Sequence, residues 1–441
     1  MNVEIRQMRT AAEQALADAF ARHKDRLAKP AAIGALREAA FARFEASGLP
    51  HRRVEEWKYT DLRALMREAV PLAAPPDTNE RARAREAGRF IDEAGARRIV
   101  LVNGVFAPEL SDLSDLDPGL TIGALADRLS RADGAVPGAP GALDEDTAVS
   151  LNTAFMGDGA VIAVAPGATI GRPLHIVSVV TAASPCAVFA RSLVDIGNDA
   201  QMTLIESHEG PADLAYQVNS VLQLAAGDKA RLDHVKVVRE GGRALHIGTL
   251  MATAGADAAL NTFVFTVGGA VVRNQLAIVL NGERTEAHVG GASLLRGSQH
   301  ADNTLVVDHA VPHCTSREVF KSVVDGDARS VFQGKIVVRP NAQKTDGKMA
   351  AHALLLSESA EADAKPELEI FADDVVCGHG ATAGALDGEL LFYLKARGIP
   401  QKQAEALMIE AFVGEAVEGI ANGAVREALM QTVSGWLAAR G

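Results

Sequence analysis

The chain contains few of the residues that build disulfide frameworks or sugar-stacking platforms. Its 441 residues include three cysteines, Cys186, Cys314 and Cys377, which lie far apart and form no Cys-x-x-Cys pair. Aromatic residues make up 4% of the chain, which disfavours a protein that stacks on carbohydrate. An odd number of separated cysteines excludes a disulfide framework and is typical of a reducing compartment. We therefore predict a cytoplasmic protein.

Long apolar runs, nucleotide-binding loops and hydrolase signatures are also missing. No run approaches the roughly 18 apolar residues of a membrane helix, and residues 1–22 mix charged and apolar side chains throughout. The sequence has no Walker A motif, no GxGxxG after a strand, no HExxH and no GxSxG. The formal net charge of −12 disfavours nucleic acid as a partner. We expect no membrane contact, no nucleic-acid partner and no nucleotide bound by this chain itself.

Glycine is plentiful, and its spacing carries the strongest structural signal. A glycine-led turn followed by an aliphatic run recurs every 27 to 30 residues. These turns begin at Gly167, Gly197, Gly227, Gly255 and Gly282, and Gly326 continues the series after a longer gap. A repeat of this length is typical of a solenoid. Apolar and polar residues alternate over residues 231–237, which predicts strands with one face inward and one face toward solvent.

Helical sequence precedes this repeat. Residues 1–97 are rich in Ala, Arg, Glu and Leu, which are strong helix formers. Within this region we predict a short charge-rich helix over residues 80–95. Trp57 and Tyr59 are predicted to anchor the helical region onto the body of the protein.

Helical sequence also follows the repeat. One apolar stripe runs from Ala404 to Ile420 and includes Leu407, and a second runs from Val425 to Trp436. The simplest interpretation of these helices is a cap that closes the open end of a solenoid.

We therefore predict a mainly β protein whose core is a right-handed parallel β-helix. Leucine-rich repeats are excluded because their Leu and Asn signatures are absent. The predicted regions are an N-terminal helical region over residues 1–97, the β-helix over residues 98–387 with an insertion near 119–142, and a C-terminal helical region over residues 388–441.

The densest chemical signal is the run CGHGAT at residues 377–382. On a strand, residues i and i+2 point to the same face, so Cys377 and His379 are expected to present a thiol and an imidazole side by side. These ligand types suit iron–sulfur chemistry, copper or zinc. Gly378 and Gly380 leave room for the close approach of another chain. The alternative is a small core cysteine beside a histidine in a turn.

A second group of metal-binding residue types lies between residues 288 and 314. It comprises His288, His300, His309, His313 and Cys314. Stacked turns of a solenoid bring polar residues into outward ladders, and we favour this interpretation over a metal site. Cys186 and Cys314 are interpreted as structural.

A β-helix enzyme that acts on polysaccharide is an alternative from another functional class. Such an enzyme needs paired carboxylates in an exposed groove. Asp302, Asp308 and Asp325 offer carboxylates, but no motif groups them.

Several ordered segments of the chain resemble the SufB/SufD family of iron–sulfur cluster assembly proteins. These segments are residues 53–62, 365–370, 372–375, 377–382 and 391–399. In the SufB branch the residue after the motif histidine is typically Glu, and more cysteines are present. Here that residue is Gly380, so the resemblance favours the SufD branch, with a SufB-like scaffold as the alternative.

The resemblance implies a β-helix and a non-catalytic scaffold role in the SUF assembly complex. It implies pairing with SufB through the terminal β-helix strands, docking of the ATPase SufC on the C-terminal helical region, and possible pairing with a second copy when SufB is absent. It also makes His379, and after it Cys377, candidate ligands of iron or of a nascent iron–sulfur cluster, held transiently at the SufB interface.

Overall fold

The computed structural model describes residues 9–27, 30–131, 135–139 and 141–440. The predicted N-terminal helical region includes residues 1–8 and 28–29, and the predicted insertion includes residues 132–134 and 140; these positions lie outside the described residues. Among the helices of the described ranges, none combines the length and the apolar character that a membrane crossing requires.

The core consists of strands that alternate between two sheets. The strands of the first sheet are β1 (Arg97–Val102), β2 (Val105–Phe106), β5 (Leu174–Val179), β7 (Gln201–Glu209), β9 (Arg231–Arg239), β11 (Ala259–Thr266), β13 (Glu286–Leu295), β15 (Thr315–Val324), β17 (Asp346–Leu355) and β19 (Val376–Gly384). The strands of the second sheet are β3 (Leu120–Ala124), β4 (Ala160–Val164), β6 (Ala187–Ile196), β8 (Gln217–Ala226), β10 (Leu245–Ala254), β12 (Val271–Leu280), β14 (His300–His309), β16 (Arg329–Val338) and β18 (Glu361–Ile370).

Each turn of the chain adds one parallel strand to each sheet. Along the second sheet, Leu222, Leu250, Leu276 and Leu305 occupy one register row, and all four are buried in the core between the sheets. The result is a β-solenoid of about eight turns with helical regions at both chain ends. The predicted mainly β, parallel β-helix fold is confirmed.

Gly197, Gly227, Gly255 and Gly282 lie where consecutive turns approach each other closely, whereas Gly167 has open space around it and a left-handed backbone. A Cβ atom on Gly227 would lie 2.3 Å from Asn198 Oδ1, and one on Gly282 would lie 1.8 Å from the backbone nitrogen of Ala256. Two residues after Gly227, Lys229 adopts a left-handed backbone with a φ of 56°. The glycine repeat therefore reflects close stacking of the turns, which leaves no space for a side chain.

Strand β9 differs from the predicted pattern of one inward face and one solvent face. Leu232 packs in the core between the sheets, whereas Val235 and Val237 pack in a separate cluster with the C-terminal helices. His234 and Lys236, on the same face as Leu232, are also buried. The prediction of a solvent face is wrong for this strand, because helices cover its outer side and polar side chains occupy its inner side.

Helices cover the outer faces of both sheets. The helices are α1 (Ala11–Leu27), α2 (Ala31–Ser47), α3 (Leu62–Leu65), α4 (Thr78–Arg83), α5 (Leu125–Ser130), α6 (Thr147–Phe155), α7 (Gly388–Ala396), α8 (Gln401–Val417) and α9 (Gly423–Ala438). Helices α1, α2 and α6 form one apolar cluster with Leu245 and Ile247 of the second sheet. Helices α8 and α9 form another with Phe263 and Phe265 of the first sheet.

The C-terminal helices therefore lie along the side of the solenoid, and the predicted end cap is wrong. The residues that α8 buries are Ala404, Ile409, Val413, Ala416 and Val417. Leu407 of the predicted stripe is instead 43% exposed. The second predicted stripe, from Val425 to Trp436, is buried along α9 as expected.

The predicted helix over residues 80–95 needs correction, and the predicted insertion contains regular structure. The segment over residues 80–95 is not one helix, because α4 is followed by separate 3-10 turns at Ala84–Glu86 and Arg89–Ala94, with the left-handed Gly88 between them. The insertion predicted near 119–142 contains strand β3, which pairs with β4 of the second sheet, and helix α5.

The predicted anchor is confirmed for Trp57. Its indole Nε1 donates a 3.1 Å hydrogen bond to Asp146, and the guanidinium of Arg273 lies 4.0 Å from the centre of a Trp57 ring. Tyr59 is half-buried. The N-terminal region is thus joined to the second sheet by apolar, hydrogen-bonded and cation–π contacts.

Candidate functional site

Cys377 and His379 lie on β19, the last strand of the first sheet. Cys377 is in register with Gly347 of β17, and His379 is in register with Met349. Met349 is buried in the core between the sheets, so His379 and Cys377, which share its face of the sheet, also point inward. Because no further strand of the described chain follows β19 in its sheet, both side chains lie at an open end of the solenoid interior.

The two candidate ligands differ in their surroundings. Cys377 is half-buried and packs against the core, whereas His379 is exposed. Burial raises the pKa of the Cys377 thiol above its usual value, and the nearby carboxylates of Asp346 and Glu318 raise it further. The thiol is therefore protonated near neutral pH and must lose its proton before it binds a metal.

The free edge of β19 is well suited to strand pairing. The N–H group of Val376 donates to the carbonyl of Thr345 on the β17 side. Because backbone groups alternate along a strand, the N–H groups of Cys377, His379 and Ala381 point to the free edge. Strand β19 contains no charged residue and no proline, so none of the usual devices blocks this edge.

The free edge of β18 is less suited to strand pairing than that of β19. The N–H group of Glu361 donates to Ala328 on the β16 side, so Pro366 stands at a position that faces the free edge and supplies no donor there. Charged residues also occupy this strand, among them Lys365, which forms ion pairs with Glu55 and with Glu367.

Two segments that carried the family resemblance meet in space. Glu55 of the N-terminal segment pairs with Lys365 of β18. Next to this pair, Asp302 is fully buried between Arg273 and the hydroxyl of Thr60. The N-terminal segment thus packs across the outer face of the second sheet up to its last strand.

The carboxylates considered for polysaccharide chemistry are all held in ion pairs. Asp302 pairs with Arg273, Asp308 with Arg339, and Asp325 with Arg440. They lie in three different contacts, and nothing brings two of them together as an acid and a base. The geometry therefore gives no support to the polysaccharide hypothesis.

The histidine-rich segment is not assembled into a metal centre. His309 is buried and hydrogen-bonds the hydroxyl of Ser316, His300 bonds Thr60, and His313 lies exposed in a left-handed turn. Cys314 is fully buried and donates to the carbonyl of Gly282, 3.2 Å away. Within the described ranges these residues do not form a cluster of three metal donors.

A buried polar cluster that no sequence motif indicates lies between the sheets. One donor atom each from His208, Glu240 and His246 lies within 4.8 Å of the others. These groups already have partners, because Tyr216 donates to Glu240, Glu240 bonds His246, and Lys236 Nζ lies 3.1 Å from His246 Nε2. A buried ammonium group beside the imidazole disfavours a bound cation, so we interpret the cluster as a satisfied internal network.

Helix α7 exposes large apolar side chains. Phe392 is 73% exposed, Tyr393 51% and Leu390 46%, and the helix buries none of its own residues. The carboxylate of Asp387 caps its first turn. An exposed apolar patch on a well-formed helix is typical of a docking surface.

Comparison with known proteins covers most of the chain. The family description "SufBD protein N-terminal region" matches residues 10–176, and "SUF system FeS cluster assembly, SufBD core domain" matches residues 179–412. An iron–sulfur cluster assembly SufBD family protein of Synechocystis is 32% identical over 88% of this chain and 87% of its own length. The iron–sulfur cluster assembly protein SufD of Escherichia coli is 30% identical over 88% of this chain and 89% of its own.

The fold and these matches define a β-solenoid protein of the SUF iron–sulfur cluster assembly system. The chain belongs to the SufBD family. Within that family it is a homologue of SufD.

Proposed function

We propose that this chain is a SufD-type scaffold subunit that catalyses no reaction itself and works in the cytoplasm with SufB and the ATPase SufC. The proposal rests on the structure of strand β19. This terminal strand has an unblocked edge, and it places His379 and Cys377 at the open end of the solenoid interior.

The terminal strands pair edge to edge with the corresponding strands of SufB. The outward N–H groups of Cys377, His379 and Ala381 supply donors for such a ladder, and main-chain pairing of this kind is a common mode of association. When SufB is absent, the same edge is available to a second copy of this chain.

Iron, or a nascent iron–sulfur cluster, is the cargo at this junction. His379 is the first ligand, because a neutral imidazole binds a metal without the deprotonation that a thiol requires. Cys377 is the second ligand. Its thiol must lose its proton before it binds the metal, and its raised pKa makes this loss less favourable.

SufC docks on the C-terminal helical region through the apolar side of α7. Phe392, Tyr393 and Leu390 give this surface, which consists of helical side chains and is distinct from the backbone edge of β19. A separate surface allows SufB and SufC to bind the chain at the same time.

Co-purification with SufB tests the pairing. The change Ala381→Pro removes an N–H group that faces the free edge, and proline is tolerated at such positions of an edge strand. We expect this variant to fold normally and to lose SufB, while Ala381→Ser, which keeps the N–H group, retains SufB. Retention of SufB by a folded Ala381→Pro chain would contradict pairing through β19.

Co-purification with SufC tests the docking surface. We expect Phe392→Ser to release SufC and to leave SufB bound, because it removes the most exposed ring from α7. Val319→Ser, on the outer face of β15 and 38% exposed, is the matched control and should retain both partners. Unchanged SufC binding by Phe392→Ser would show that the ATPase docks elsewhere.

A further inference from the structure

A buried glutamate without a partner lies two strands inside the open end. Glu318 of β15 is fully buried, and neither of its carboxylate oxygens has a hydrogen-bond partner in the part of the chain that the structure describes. A buried carboxylate is costly unless it is paired or binds a metal, and nearly all buried polar groups in proteins have partners. The position of Glu318 therefore needs an explanation.

The groups nearest to Glu318 in the chain compensate its buried carboxyl only in part. The hydroxyl of Ser316 bonds Nε2 of His309 at 2.9 Å. Burial raises the pKa of Glu318 to about 7, and the nearby Ser316 hydroxyl offsets this rise only in part. The guanidinium of Arg317 is on the opposite face of the strand and pairs with Asp346 at 2.6 Å. No positive side chain of the described residues thus forms an ion pair with the Glu318 carboxylate within the solenoid.

Glu318 belongs to the same inward row as His379. Glu318 is in register with Met349 of β17, and Met349 is in register with His379 of β19. Neighbouring strands lie roughly 5 Å apart, so the backbones of Glu318 and His379 are separated by about 10 Å. The donor atoms of Glu318, His379 and Cys377 do not all lie within 4.8 Å of one another, so the glutamate and the histidine must rotate toward each other to share an ion.

The side chain of the intervening methionine points toward the second sheet. A Cβ atom on Gly334 would lie 2.3 Å from the Met349 sulfur, so Met349 uses the space that the missing side chain of Gly334 provides. Its flexible side chain also adapts readily to a neighbour.

We propose that Glu318 supplies an oxygen ligand to ferrous iron at the open end of the solenoid interior, beside the imidazole of His379 and the thiolate of Cys377. This inference rests on the proposed role of His379. Ferrous iron accepts nitrogen, oxygen and sulfur donors, and its positive charge compensates the negative charge of the buried carboxylate. As iron binds, the S–H bond of Cys377 breaks, an S–Fe bond forms and the proton passes to solvent at the open end; no electron is transferred.

Anaerobic titration of the full chain with Co²⁺, as a spectroscopic probe for Fe²⁺, tests the proposal. We expect one ion per chain, and at least a tenfold weaker affinity in Glu318→Gln, which keeps the shape of the side chain and removes its charge. Glu286→Gln, an exposed glutamate of the first sheet, is the control and should bind as the unmodified chain does. Glu318→Met, an apolar residue of similar length, serves in the same titration if the glutamine variant does not fold.

Thermal melting separates a ligand from a structural glutamate. Without metal, Glu318→Gln should melt at the same or a higher temperature, because it removes a buried negative charge that has no counter-charge. With Co²⁺ the melting temperature of the unmodified chain should rise and that of the variant should not. A large loss of stability in both metal-free variants, Glu318→Gln and Glu318→Met, would indicate a structural role and overturn the proposal.

Two further results would overturn the proposal: a chain that binds no Co²⁺ or Fe²⁺, or a Glu318→Gln variant that binds as tightly as the unmodified chain. The proposed scaffold function is judged separately by SufB and SufC co-purification. A complex whose iron content falls with His379→Ala but not with Glu318→Gln would refute the role of Glu318 alone.

Discussion

The two ends of the solenoid are built in opposite ways. At the first end the chain completes both sheets itself, because β2 folds back antiparallel onto β1 and β3 runs antiparallel to β4. At the last end β18 and β19, with 10 and 9 residues, are the outermost strands of their sheets among the described residues. Long free edges are prone to pair with another chain. The last end of the solenoid therefore presents the longer free strand edges.

The packing of the solenoid interior also differs between the two ends. Leu174, Ile176 and Leu204 fill the interior near the first end. Near the last end, small side chains from β17, β18 and β19 help to line a cavity of about 230 Å³, namely Ala351, Ala353, Ala362, Ala364, Ala381 and Ala383. The chain fills its own core at one end and leaves space at the other.

Truncation of a leucine at each end should expose this difference most strongly. Leu174→Ala in β5, where the side chain is fully buried in the core between the sheets, should lower the free energy of unfolding by about 2–5 kcal/mol. Leu390→Ala in α7, where the side chain is 46% exposed, should change it by less than about 0.5 kcal/mol. Urea unfolding measures both, and equal losses would contradict the contrast.

Acid sensitivity tests whether packing excludes water both on the covered outer face of the first sheet, at His175, and inside the solenoid, at His309. Burial lowers the pKa of His175 to about 3 and that of His309 to about 4, from 6.5. Below pH 6.5 the unfolded chain takes up protons that the folded chain does not, so stability falls as the pH falls. At pH 4 the loss from His175 is about 3 kcal/mol.

The measurement compares variants with the unmodified chain in urea between pH 7 and pH 4. His175→Asn and His309→Asn should each make the loss of stability on acidification smaller. Burial raises the pKa of Glu240 to about 7 from 4.5, so this residue makes the folded chain more stable as the pH falls. The test is therefore the difference in pH dependence between each variant and the unmodified chain. An unchanged profile in both variants would mean that the histidines are hydrated.

Two cysteines should affect stability without affecting function. Cys186 and Cys314 are buried, and burial raises the pKa of both thiols. Each change to Ser buries a hydroxyl in a thiol's place and should cost about 1–2 kcal/mol, while the iron and sulfide content of the assembled complex stays normal. Loss of cluster with normal folding would contradict the structural interpretation of that cysteine.

Cys377→Ala should have a smaller effect than loss of the histidine. The half-buried thiol is protonated, so it contributes to metal binding only after it loses its proton. We expect the iron content of the complex to fall less than in His379→Ala, by analysis of the same purified complexes. A larger fall in Cys377→Ala would reverse the order of the two ligands.

The sequence predicted the solenoid because its glycine turns repeat a close backbone contact, as at Gly227 and Gly282. It did not predict where the C-terminal helices pack. An apolar helix face fits the side of a sheet as well as the end of a solenoid, and the outer residues Val235 and Val237 that receive these helices looked like part of an ordinary alternating strand. Long-range contacts decide between these arrangements, and sequence periodicity does not contain them.

The candidate site was predictable only in part. A shared face for Cys377 and His379 follows from strand geometry. Glu318 could not be singled out, because its distinguishing property is the absence of a partner for its carboxylate, which depends on neighbours in other turns. The same holds for the cluster around His208 and Glu240, whose members come from different strands.

The most direct test of the central claim is the iron and acid-labile sulfide content of the complex assembled with His379→Ala. His288→Ala, an exposed histidine on the outer side of β13, is the matched control. We expect His379→Ala to melt normally, to retain SufB and SufC, and to carry severalfold less iron and sulfide than the control complex. Normal iron and sulfide in a folded His379→Ala complex would contradict the claim that the open end of this solenoid holds the cargo.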